Sequence, residues 1–186
     1  SDLFRKITLA KIIPVKPIEA ELAKLFTNAW RYIRFAVPNQ FFMIAEEHGL
    51  NYQNIERAMK ENYTRNQDLP SPGFAAGPCL LKDTMQLAAF TNNNFWLGHA
   101  AMLVNEGLVN HLIKGLKREY GNSLKDKTVG ILGMAFKADS DDHRDSLSYK
   151  LRKIAHVECK AVLCNDPHVK NESFVSTDHI LKNSIS

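Results

Sequence analysis

The sequence predicts a mixed fold, an all-helical region followed by the opening of a doubly wound α/β unit. Two observations carry this. Residues 18–48 and 95–120 place apolar side chains three and four apart, the spacing of helices with a broad buried face. After Lys125-Asp-Lys127 the pattern changes to a β-rich run Thr128–Gly133, a helical stretch near Ser146–Ala155 and a second β-rich run Ala161–Cys164. That order is a βαβ beginning, the building unit of a doubly wound parallel sheet.

In chain order, residues 1–16 read as a short helix tail (Leu3, Phe4, Ile7) and an extended Ile12-Ile-Pro-Val15. A lone pair of elements cannot bury its own apolar face, so this segment is expected to close a preceding α/β domain. The first long helix follows from Ile18 to about His48, with Leu22, Leu25, Phe26, Ala29, Ile33, Ala36, Val37, Phe41, Ile44 and Ala45 as its apolar stripe. Pro38 should kink it and Gly49 end it. Asn51 caps a short helix to about Asn62. Residues 63–78 form a loop long enough to be functional. Pro78, at a first helical position where a missing N–H costs nothing, opens the next helix. The second long helix, Phe95–Tyr120, carries too many apolar positions for one seam and is expected to be buried on more than one side. Past the βαβ start, Phe174-Val175 is a third apolar hint before a helix near Thr177. Two or three strands do not complete an open sheet, so the chain reads as the middle of a longer polypeptide.

Composition narrows the function classes. The chain has 186 residues, 45% hydrophobic and 24% charged, with a net charge of +4, an ordinary globular balance. Lys and Arg are spread along it, which argues against a nucleic-acid stripe. No apolar run reaches the roughly 18 residues of a membrane span. Cys79, Cys159 and Cys164 are odd in number and lack metal-ligand spacing, so reduced thiols in the cytoplasm and no metal site are expected.

Chemistry concentrates in Gly73-Phe-Ala-Ala-Gly-Pro-Cys-Leu-Leu-Lys-Asp83. The small residues Gly73, Ala75, Ala76 and Gly77 let a ligand approach the backbone. Cys79 is expected in the first helical turn, where orphan N–H groups favour a thiolate. Lys82 and Asp83, three and four residues on, fall on the same face. A cysteine near a helix start is also commonly a small buried hydrophobe. On the first long helix Lys24 and Asn28 lie one turn apart, either as a functional pair or as a snorkelling lysine and a satisfied helix-contact amide. Gly133–Ser146 is a strand-end loop with Lys137 and Arg144 aimed at a helix N-terminus, suited to phosphate. Asp139, Asp141, Asp142 and Asp145 could instead pair those bases on the surface. The glycines here do not form G-x-G-x-x-G.

Gly73–Asp83 resembles the cysteine signature of the nucleotide-sugar dehydrogenases, the UDP-glucose/GDP-mannose dehydrogenase family. Ala20–Asn28 resembles that family's second signature, with a Lys and an Asn four residues later. Phe136–Ser146 is similar to its Phe-Lys-x-Asp-(small)-x-Asp-x-Arg-x-Ser motif, and Asn39 also resembles a family position. Together these cover about Glu19 to Asp166.

The resemblance implies the tail of an NAD-binding α/β domain at 1–16 and an all-α central dimerisation domain with the catalytic cysteine at 17–122. At 123–186 it implies an incomplete Rossmann-like C-terminal domain that binds UDP-sugar. It implies catalytic roles for Cys79, Lys24, Asn28 and Asp83, and substrate contacts from Lys24, Asn28, Arg65, Phe74, Gly77, Phe136 and Lys137. Lys82 and Arg144 would face the cofactor, NAD. Arg65, 14 residues before Cys79, could equally be a solvated loop arginine. The partners implied are a UDP-sugar and a second copy of the chain held through the central helices. By resemblance the whole enzyme oxidises C6 of a UDP-sugar to the carboxylate, with UDP-glucose favoured by Cys-Leu-Leu-Lys-Asp. The N-acetylated sugars and GDP-mannose are the alternatives. The NAD-binding glycine fingerprint and the family's catalytic Thr and Glu are not in the sequence, so these residues alone are expected to turn over little or no substrate. A helical dimerisation module without chemistry would explain the long helices but not three polar signatures. A cysteine hydrolase would need a His base near Cys79, for which no spacing argues.

Overall fold

The computed structural model describes residues 2–185. Helix α1 is Asp2–Arg5 and the long helix α2 is Pro17–Glu47. Residues 12–15 form no strand; with no neighbouring strand to pair them, their extended sequence stays as coil. Pro17 opens α2, whose 31 residues run through Pro38. The helix stops at His48 and Gly49, the latter with φ +67°, a left-handed value glycine adopts without steric penalty. Helix α3 (Tyr52–Lys60) is capped by Asn51, whose Oδ1 accepts the Asn54 N–H at 3.3 Å. A 3₁₀ turn, Thr64–Asn66, packs against α3. Helix α4 is Leu80–Phe90 and α5 is Trp96–Glu119.

Helix α2 lies against both α4 and α5. Its buried face is Ala29, Tyr32, Ala36 and Ala45 together with the polar Asn28 and Asn39, while Phe26, Trp30, Val37, Phe41 and Ile44 are exposed. The expected apolar stripe was therefore only partly interior. Small residues let neighbouring helices approach, and periodicity does not say which of two adjacent stripes meets them. On α5, Ala101, Leu108, Val109 and Ile113 are buried but Leu97 and Leu103 are exposed. The helical core gathers Tyr32, Ala36, Ala75, Leu80 and Ala101.

The α/β part begins with β1 (Leu124–Leu132), continues through α6 (Leu147–Glu158) and returns as β2 (Cys159–Asn165). β1 and β2 pair in parallel, from Thr128 opposite Ala161 to Leu132 opposite Asn165, with an irregularity between Leu124 and Thr128. Each strand starts earlier than its apolar run indicates, because Leu124 and Cys159, rather than the charged residues between, are the anchors packed into the core. Phe174-Val175 is not a strand. After α7 (Thr177–Asn183), Ile185 makes the next parallel bridge to Val129. Val129 also pairs with Val162, so Ile185 lies on the opposite edge of β1 and the order reverses there.

Two clusters join the parts. Ala76 of the glycine-rich loop, Val109 of α5 and Leu147 of α6 pack together with Phe74 and Phe136 around them. Lys150 of α6 donates to both the carbonyl and the Oε2 of Glu106 on α5, each at 3.1 Å. The loops between β1 and α6 and before α4 are thereby brought face to face.

Candidate functional site

The site is assembled on α2 and α4. Lys24 and Asn28, one turn apart, project from α2 toward the first turn of α4, where Asp83 is buried at 2% exposure. The Lys24 ammonium donates to Asp83 Oδ2, and Asn28 Nδ2 donates to the same oxygen at 2.6 Å. Lys82 Nζ stands 3.6 Å from the other oxygen. Burial by itself raises the Asp83 carboxyl, but the bonds from Lys24 and Asn28 and the charges of Lys24 and Lys82 outweigh it, so it titrates below the usual range. Conversely, the bond to Asp83 raises the Lys24 ammonium above its ordinary value, with a smaller contribution from Cys79. Asp83 is thus an ionised acceptor and Lys24 a retained cation.

Cys79 is the cap of α4, one residue outside the helix, not in its first turn; Pro78 precedes it. The carbonyl of Cys79 takes the Asp83 N–H at 2.8 Å, closing the first helical bond. The cysteine is exposed, so it is not the small buried hydrophobe its position allows. Among the described residues no histidine hydrogen-bonds it, which leaves a cysteine–histidine pair without support.

The glycine-rich loop meets the strand-end loop directly. Gly77 has φ +101°, and a Cβ there would lie 2.7 Å from the Phe136 ring. Its N–H reaches the carbonyl of Asp145 at 3.4 Å. Lys137 Nζ sits 5.6 Å above the Phe136 ring, within cation–π range. Arg144 is locked by its Nε and Nη2 onto Asp142, at 2.9 and 2.7 Å, and these bonds bring the Asp142 carboxyl to about 2. The acidic pairing that the sequence leaves open therefore holds for Arg144.

Beside this junction a cleft of about 590 Å³ is walled by Pro78, Lys82, Arg144, Ser146, Lys150 and Lys153, among others. Gly77 also lines it; Cys79, Lys24, Asn28 and Asp83 do not. Phe74 lines a separate apolar hollow of about 290 Å³ with Phe42 and Leu108. Arg65 is exposed on the 3₁₀ turn and makes no hydrogen bond or ion pair with the Cys79 group. Lys24, Asn28, Asp83 and Cys79 are brought together, Gly77, Phe136 and Lys137 adjoin them, and Arg65 and Phe74 lie apart.

Asn105 and Asp166, which sequence reasoning passed over, and Asn39, singled out there only by its resemblance to a family position, organise the surroundings. Asn39 and Asn105 form a buried amide pair, and Asp166 collects backbone N–H groups from both strand-end loops. Of the two passed over, only Asp166 had a legible signal, an acid directly after a β-rich run.

The fold is that of the nucleotide-sugar dehydrogenases. The solved structure of UDP-D-ManNAc dehydrogenase from Pyrococcus horikoshii superposes with a TM-score of 0.82 at 26% identity, over 98% of this chain and 44% of that one. Residues 18–107 match the UDP-glucose/GDP-mannose dehydrogenase family, central domain, the family that the three sequence motifs resemble. The curated UDP-N-acetyl-D-mannosamine dehydrogenase of Pyrococcus horikoshii is 29% identical over 90% of this chain. An NDP-N-acetyl-D-galactosaminuronic acid dehydrogenase of Ralstonia solanacearum is 27% identical over 81%. The chain spans about two fifths of the length of these relatives, 41% and 36%.

Proposed function

We propose that this chain carries the reacting cysteine of an NAD-dependent nucleotide-sugar 6-dehydrogenase, which oxidises a C6 alcohol to a carboxylate in two steps. The observation that supports it most is the meeting of Lys24 and Asn28 with Asp83, one helical turn from an exposed Cys79. In this reading 17–122 is the central domain, with 1–16 and 123–186 belonging to the flanking NAD- and UDP-sugar-binding domains.

The cationic lining of the cleft, Lys82 and Arg144 included, fits the anionic part of a dinucleotide, although the chain has no glycine fingerprint for one. NAD, when bound, would supply the acceptor for the hydride that leaves C6 in each of the two oxidations, two NAD in all. The chain's own residues do the rest. The Cys79 thiolate adds to the aldehyde carbon and forms a thiohemiacetal, whose C–H is then lost as hydride to leave a thioester. Water releases the acid and regenerates the thiol. Lys24 and Asn28 donate to the oxyanion at each stage; removing one such donor costs about 3 kcal/mol of transition-state stabilisation. Asp83 holds both donors in place and orients the hydrolytic water. Phe136 and Lys137 contact the nucleotide sugar. Arg65, on the 3₁₀ turn, and Phe74, in its separate hollow, are given no contact with the substrate in this reading.

The sugar is a UDP-N-acetylhexosamine in this reading. The Cys-Leu-Leu-Lys-Asp resemblance favours UDP-glucose, but the named activities of the relatives above concern N-acetylated sugars. The exposed stripe Phe26, Trp30, Val37, Phe41 and Ile44 on α2 supports a homodimer through the central helices. Among the described residues no helix is long and apolar enough to cross a membrane, and free thiols suit the cytoplasm.

The test is NADH formation by the full-length protein with NAD and a panel of UDP-N-acetylmannosamine, UDP-N-acetylgalactosamine, UDP-glucose and GDP-mannose. Turnover of an N-acetylated substrate is expected, and the Cys79→Ala variant is expected to form no acid. Undiminished acid from that variant refutes the covalent step.

A further inference from the structure

The buried amide pair of Asn39 and Asn105 has no part in the chemistry proposed above, yet it holds the loop that leads into Cys79. Asn39 and Asn105 are each fully buried, at 0% exposure. Asn39 Oδ1 accepts the Gly73 N–H at 2.7 Å, and Asn39 Nδ2 donates to the Gly73 carbonyl at 2.9 Å. The same Nδ2 donates to Asn105 Oδ1 at 2.9 Å, and Asn105 Nδ2 donates to the backbone carbonyl of Tyr32 at 3.0 Å. Each amide is thereby oriented by the other, and both main-chain polar groups of one loop residue are captured by one side chain.

We infer that Asn39, oriented by Asn105, is a positioning residue that sets where the Cys79 sulfur stands relative to Lys24. This inference rests on the reading of Cys79 as the reacting group. Asn39 grips the chain at Gly73, and Lys24 with Asn28 grip it again at Asp83. Both grips are on α2. At about 1.5 Å per residue, Asn28 and Asn39 are separated by roughly 16 Å along the helix axis. Between the grips the chain has six steps from Gly73 to Cys79, at most about 20 Å when extended, and then one turn of helix. That contour exceeds the span, so the path of the loop is fixed by the contacts made along it and not by its length. Ala75 is buried against Tyr32 and Leu80, and Gly77 is held at the far end by Phe136 and Asp145. Release at Gly73 lengthens the free segment on the side where no other main-chain hydrogen bond restrains it, so the cap of α4 shifts while the helices stay packed.

Two variants remove the grip from opposite sides. Asn39→Ala deletes the buried amide. Gly73→Pro deletes the N–H donated to Asn39 and stiffens an exposed loop position while leaving Asn39 itself in place, and Gly73→Ala is the control for an added Cβ, which there meets nothing within 4 Å. Hydrogen exchange of the 186-residue chain followed by mass spectrometry is expected to quicken at least tenfold in residues 74–79 of Asn39→Ala and Gly73→Pro. Peptides of β1 and α6 should match wild type, and Gly73→Ala should match it throughout. The second readout is the alkylation of Cys79 by anionic iodoacetate relative to neutral iodoacetamide, assigned by peptide mapping. That ratio is expected to fall at least threefold as the sulfur moves away from Lys24. Loss of stability alone would speed both reagents together and leave the ratio unchanged. Uniform acceleration across all peptides, wild-type exchange in 74–79, or an unaltered alkylation ratio each overturns the inference. Neither readout needs sugar or NAD, so the outcome is separate from success or failure of the turnover assay.

Discussion

Replacing Asp166 by Asn tests how the strand-end loop is held in place. Asp166 follows β2, and its carboxylate accepts four backbone N–H groups: Met134 at 2.6 Å and Ala135 at 2.9 Å on Oδ2, His168 and Val169 both at 2.8 Å on Oδ1. Burial alone raises this carboxyl, but the four bonds prevail and bring it to about 2 from an ordinary 3.8. Asparagine keeps one acceptor oxygen and turns an NH₂ group toward one pair of donors, so two charge-assisted bonds are lost. At about 1.5 kcal/mol each, the loss is about 3 kcal/mol. The depression of the carboxyl, which arises from the same four bonds, corresponds to about 2.5 kcal/mol, of the same order. For a chain of this size either value lowers Tm by about 5–10 °C. The pH dependence has a definite sign. A carboxyl depressed by folding contributes fully above its unfolded value near 3.8 and loses that contribution as the pH falls toward its folded value. Urea denaturation of wild type and Asp166→Asn should therefore show a constant gap between about pH 7 and 5 that narrows below about pH 4. A gap under about 0.5 kcal/mol at neutral pH, or one that does not narrow in acid, would refute the reasoning. Phe136 and Lys137 ride on the loop so fixed, so under the proposed function weaker substrate binding should accompany the lost stability.

Other outcomes follow from the same contacts. Gly77→Ala combines a φ of +101° with a Cβ 2.7 Å from the Phe136 ring, and should cost about 1–3 kcal/mol in chemical denaturation; an unchanged midpoint would mean the two loops do not touch in solution. Asp83→Asn removes the carboxylate that raises Lys24, so the ¹³C-methyl resonance of reductively methylated Lys24 should titrate at lower pH than in wild type. A titration that stays where it was would mean the Lys24–Asp83 pair is not formed.

The sequence by itself determined most of the helices and the order of the α/β part. Local rules sufficed for α2, α3, α5 and α6, where periodicity and caps such as Asn51 of α3 and Ser146 of α6 act within a turn or two of chain. For Cys79, Lys24, Asn28 and Asp83, residue type and spacing left a structural reading open beside the functional one, and the resemblance of the motifs to a family singled them out. Local rules failed where a distant partner decides. Coil at Ile12–Val15, the exposed half of the α2 stripe, and the third sheet position taken by Ile185 and not Phe174-Val175 all depend on what lies alongside. Tertiary structure alone brought Asp83 under Lys24 and Asn28, more than fifty residues away in the chain. It alone paired Asn39 with Asn105 across 66 residues and gathered four backbone donors onto Asp166. Hydrogen bonds and burial are properties of positions in space, and a polar side chain shows its role only once packing has excluded water and chosen its partners.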